Sequence, residues 1–70
     1  MKKRLNTTNA NTTITSCKQY IYEEKGNVSN EMKWALIELV TMAYEIKGVD
    51  RPRACAVSFV SATIRNAQYR

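Results

Sequence analysis

The acids are the first residues to consider for chemistry. Glu31, Glu38 and Glu45 recur at intervals of seven residues, which lines them up along one side of a helix. Two carboxylates facing each other across a cleft can act as an acid/base couple. A solvated helix face explains the same interval without any special environment, and the sequence favours that explanation. The chain has no histidine, so the usual general base at neutral pH is missing. Cys17 and Cys55 are the only cysteines, and they lack the paired Cys or Cys/His spacing that zinc requires. There is no glycine-rich phosphate loop, nucleophile elbow or Cys/His pair. The chain therefore reads as non-enzymatic, with no metal and no cofactor.

The bases suggest binding instead. The net charge is +5, and the excess sits at the two ends. Lys2, Lys3 and Arg4 carry the start with no nearby acid, and Arg51, Arg53, Arg65 and Arg70 face only Asp50 in the last segment. The run Asp50-Arg51-Pro52-Arg53 looks like the start of a helix, where free N–H groups and the dipole favour an anion. Two guanidiniums placed there suit phosphate oxygens, although Asp50 offsets part of their charge. These seven cations are the candidate nucleic-acid or anion-binding residues. A helix-turn-helix through Gly48-Val49-Asp50 would put the last helix in a major groove and the basic arm on the backbone. The spacing around Gly48 matches that motif poorly, and the polar row Ser58, Ser61, Arg65 and Gln68 is thin.

Aromatic residues supply the rival reading. Trp34, Tyr20, Tyr22, Tyr44 and Tyr69 are many large rings for a chain of 70 residues. Trp34 falls beside Glu31 and Glu38, and an aromatic side chain among polar neighbours is a typical interface anchor. Trp34, Ile37 and Tyr44 are the candidate contacts with a protein partner.

Three helices must position these groups. The first is expected over about 14–25, with Thr12 or Thr13 as N-cap and Gly26 as its left-handed stop. Its β-branched and tyrosine content makes a strand the alternative. The second is expected over about 30–47, capped by Ser29 or Asn30, with Glu31 in its first turn and Gly48 closing it. Met32, Ala35, Leu36, Leu39, Val40, Ala43 and Ile46 form its apolar stripe. Trp34, Ile37, Met42 and Tyr44 fall outside that stripe, so the apolar surface wraps past the usual arc of about 100° and needs cover on two sides. The third is expected over about 51–68, with Asp50 as N-cap and Pro52 in the first turn. Val57, Val60, Ile64 and Ala67 form its inner row, with Ala56 beside it and Phe59 and Ala62 broadening the face.

The expected architecture is all-α. It is a compact three-helix bundle over residues 13–70, led by a flexible basic N-terminal arm over residues 1–12. A core this small is marginal alone, and together with the wide apolar surface of the second helix this predicts a homo-oligomer. No secretory h-region follows Met1-Lys2-Lys3-Arg4 and no stretch could span a bilayer. A cytoplasmic protein is therefore expected, with both cysteines as small buried hydrophobes rather than a disulfide. The functional expectation is a small nucleic-acid-binding regulator or accessory protein. The alternative is an inhibitor or adaptor that docks through its second helix, and a weaker one is a binder of a small anion at the start of the third.

Overall fold

The computed structural model describes residues 7–69, with side chains from residue 9 onward. Three helices pack against one another: α1 (Thr7–Glu23), α2 (Asn30–Lys47) and α3 (Pro52–Gln68). The described residues contain no strand, so the all-α bundle expected from periodicity is the fold. α2 is central and packs on both α1 and α3.

α1 begins at Thr7, earlier than the start expected near residue 14. Residues 7–12, assigned to the arm by composition, are therefore helical, and neither Thr12 nor Thr13 caps the helix. The reason is one small apolar residue in phase with the later ones. Ala10 and Ile21 are fully buried and Cys17 nearly so, with Ile14 packed against the core that holds Cys17 and Ile21. Residues 10, 14, 17 and 21 share one face of a helix. Lys47 on α2 adds a link by donating from Nζ to Asn11 Oδ1 at 2.7 Å. Lys2, Lys3, Arg4 and Arg70 lie outside the described residues.

The turn after α1 differs from expectation in a second way. Gly26 N–H bonds to the Ile21 carbonyl and Lys25 N–H to that of Tyr22, the paired bonds of a Schellman ending. The left-handed C′ residue in that motif is Lys25, at φ 57°, and Gly26 follows at φ 76°. Gly26 is needed for space as well as for its φ. A Cβ there would lie 2.5 Å from Gln68 Cγ and 2.7 Å from the Ile64 carbonyl oxygen. Gln68 also donates from Nε2 to the Gly26 carbonyl at 3.2 Å, so the first turn of the chain seats the end of α3.

The ends of α2 follow the sequence closely. Ser29 accepts a bond from the Met32 N–H at 3.1 Å, and Gly48 takes the left-handed position at φ 82°. Gly48 and Val49 donate to the carbonyls of Glu45 and Tyr44. At α3, Pro52 occupies the first helical position, but Asp50 does not cap it. The N-cap position belongs to Arg51, with no side-chain cap bond.

The buried core is built from small and mid-sized side chains, with partly buried Tyr20, Tyr22, Tyr44 and Phe59 packed against it. The largest fully buried ones are Ile21, Ile37, Val40 and Val60, and alanines 10, 43, 56 and 67 fill much of the rest. Thr63, a polar residue in the inner row of α3, is buried as well. Its hydroxyl donates to the Phe59 carbonyl at 2.7 Å, which satisfies the buried donor locally.

Candidate functional site: the outer face of the second helix

The buried arc of α2 comprises Leu36, Ile37, Val40 and Ala43. Leu36, Val40 and Ala43 are buried as their place in the expected stripe implied, but the arc is turned towards Ile37. Met32, Ala35 and Leu39, read as core from sequence, are exposed, and Ile37, read as an interface residue, is fully buried. The polar members Lys33 and Thr41 disguise the true inner arc. Thr41 hides its hydroxyl by donating to the Ile37 carbonyl at 2.7 Å. Lys33 is half-buried and sets its ammonium over Trp34, 5.7 Å from the ring centre.

The consequence is an apolar row facing away from the bundle. Met32 is 38% exposed, Leu39 45% and Met42 50%, with Ala35 also exposed and Ile46 half-buried. These five residues follow one another at alternating spacings of three and four. That is the a/d repeat of a coiled-coil seam, and at about 1.5 Å per residue it runs for about 21 Å. Glu31, Glu38 and Glu45 line one flank of it, all exposed, about 10.5 Å apart by the same rise. None of the three makes an ion pair with a described residue. On the other flank Leu36 and Ala43 turn into the core. The signal was present in the sequence, because the three–four spacing and the adjoining acids are both readable there.

Trp34 lies beyond the acidic row, 43% exposed. The guanidinium of Arg53 sits 5.8 Å from its ring centre, so two cations flank one indole face or edge at cation–π range. The structure thereby joins two residues that the sequence assigned to rival sites: Arg53 as a phosphate contact and Trp34 as a protein contact. Tyr44 is not part of this surface. It is half-buried, packs on the core and meets Phe59 edge-on with ring centres 6.4 Å apart. Burial, and secondarily the neighbouring Cys55, pushes its hydroxyl pKa up.

The basic candidates do not form one patch. Arg51 and Arg53 are exposed together at the start of α3. Arg65 is exposed at the opposite end of that helix, about 18 Å away by helical rise. A separate shallow groove of about 630 Å³, lined by Lys18, Tyr22, Lys25 and Ala67, opens between the ends of α1 and α3. Both cysteines are free, Cys17 buried and Cys55 exposed, against the expectation that both would be buried. Among the described residues no group of His, Cys, Asp and Glu could hold a metal ion. No helix there is long and apolar enough to cross a membrane. Comparison with known protein families, with curated proteins and with solved structures finds no match to the chain.

Proposed function

We propose that this chain is a small non-enzymatic binding protein that docks a protein partner on the outer face of α2. The observation that carries this reading is the run of large apolar side chains left open on one helix. Met32, Trp34, Leu39 and Met42 remain accessible on α2, outside the closed core. A contiguous apolar row rimmed by charge is the usual character of a recognition surface. Methionine suits it, because its flexible thioether adapts to a partner's shape.

The test uses the immobilised chain and an extract of its native cells. The wild type should retain a partner that Leu39→Asp loses, while circular dichroism and melting show the same fold for both. Equal retention by the two would overturn the reading.

A second reading, a nucleic-acid-binding regulator or accessory protein, is favoured by one feature. The start of α3 has no side-chain cap and no acid in its first turn, and Arg51 and Arg53 are exposed there. Open N–H groups beside two guanidiniums match a phosphate, whether in a polymer or in a small anion. Duplex binding at low salt that weakens steeply with added salt, and less steeply after Arg51→Gln and Arg53→Gln, supports it. A flat salt response counts against it.

A further inference from the structure

We propose that the occupant of the α2 seam is an amphipathic helix with an apolar a/d row and lysines or arginines repeated every seven residues along one flank. This rests on the docking reading of α2 and adds the chemistry of the partner. The geometry comes from the seam itself, since Met32, Ala35, Leu39, Met42 and Ile46 offer the spacing into which another helix sets its own row. The charge comes from Glu31, Glu38 and Glu45. They are exposed, stand along one flank and have no cation among the described residues. In a coiled-coil contact the residues flanking the seam set partner choice and orientation.

A second copy of the chain fits the seam poorly. An antiparallel pair centred near Glu38 would set Glu38 against Glu38, and Glu31 against Glu45, so three acids would meet three acids. A parallel pair would bring the acidic row to the flank where Leu36 and Ala43 turn inward, and neither of those positions carries a cation. Like charges directly opposed across a helix pair are destabilising. A partner with cations on the matching flank removes the repulsion and replaces it with attraction. The site is a local acidic strip on a chain whose net charge is +5, so long-range attraction does not bring the partner in. Recognition works at contact range, over roughly a Debye length of about 8–10 Å at physiological salt.

The experiment titrates the full chain against labelled synthetic helices of four heptads, followed by fluorescence anisotropy. One helix carries leucine and isoleucine at the seam with lysine on both flanks, a second has glutamate on the flanks, and a third keeps the lysines but has serine at the seam. The first should bind, the second at least tenfold more weakly, and the third not measurably. Replacing Glu31, Glu38 and Glu45 together by glutamine should weaken the first about tenfold, the sum expected of three exposed pairs. Replacing them by lysine should reverse the preference towards the glutamate helix. Leu39→Asp should abolish binding with the acids intact. Circular dichroism confirms that each variant is folded.

Equal binding of the first two helices would overturn the cationic partner while leaving α2 as a docking face. Equal binding of the first and third would reduce the effect to charge adsorption and overturn it too. If neither apolar helix binds and the chain sediments as a dimer that Leu39→Asp dissociates, the occupant is a second copy. If none binds and the chain stays at 8.0 kDa, the docking face itself falls.

Discussion

Ile37 and Leu39 stand two residues apart on α2, and they have opposite fates. The first is closed to solvent among Ile21, Val40 and Val60, and the second faces outward beside the acidic row. Residue type does not separate them, since both are branched aliphatics of the same size. What separates them is helical phase, about 100° per residue, fixed by where α1 and α3 lie. The inner face, with Leu36, Ile37, Val40 and Ala43, is closed by the neighbouring helices. On the outer face Met32, Leu39 and Met42 have little to rest on. One face supports the fold, and the other is free to serve another purpose.

Deleting side chains from each face in turn separates the two roles. Ile37→Ala removes a fully buried side chain and should lower unfolding free energy by about 2–5 kcal/mol in urea titration. A loss under about 1 kcal/mol would mean that the inner face is not the core described above. Trp34→Ala should have a smaller effect, about 1 kcal/mol or slightly more, through the lost ring contacts with Lys33 and Arg53. A double-mutant cycle with Arg53→Gln should return a coupling of about 0.5–1 kcal/mol, and zero coupling would show that the two residues merely lie near each other. Leu39→Ala should change stability by no more than about 0.5 kcal/mol, although the same substitution should impair docking.

The same inside-to-outside contrast applies to the cysteines, with the smallest expected effect. Burial raises the Cys17 thiol above its ordinary pKa of 9.0. The folded state thus holds that proton at pH values where the unfolded state releases it. Stability from this site is complete below pH 9.0 and declines as pH rises through and beyond that value. Thermal melting from pH 8 to 10 should show a decline in the wild type that Cys17→Ala reduces, and identical slopes would contradict it. Under native conditions a thiol reagent should modify exposed Cys55 rapidly and Cys17 only on unfolding.

Much of the fold was legible because local chemistry and tertiary structure agree at the boundaries. Ser29 before α2, Gly48 after it and Pro52 opening α3 are each the residue type that the backbone wants there. The start of α1 was illegible because Asn and Thr are weak helix formers, and tertiary features, the burial of Ala10 and the Lys47–Asn11 bond, accompany the helix back towards Thr7. Lys25 in a left-handed conformation was illegible for a similar reason. The neighbouring glycine is the more obvious candidate, but its missing side chain serves the packing of Gln68.

The phase of α2 was the costliest ambiguity for function. An apolar wrap this wide offers two self-consistent stripes, and choosing between them needs the neighbouring helices. The place of Trp34 among acids was readable from the sequence, but its 43% exposure was not, because a neighbouring helix could equally have covered it. Its contact with Arg53 was not, because it joins residues from two helices whose crossing no local pattern specifies.

The seat that Gly26 makes for Gln68 also has a consequence in time. The two residues are 42 positions apart, and a ribosome adding about 5–20 residues per second needs about two to eight seconds to cover that interval. α2 is itself made within that interval, and until α3 follows, the turn after α1 is unfilled and Ile37 and Val40 lack the cover of Val60. Closure of the bundle therefore waits on the synthesis of α3, a step slower than the microseconds to milliseconds in which helical bundles fold.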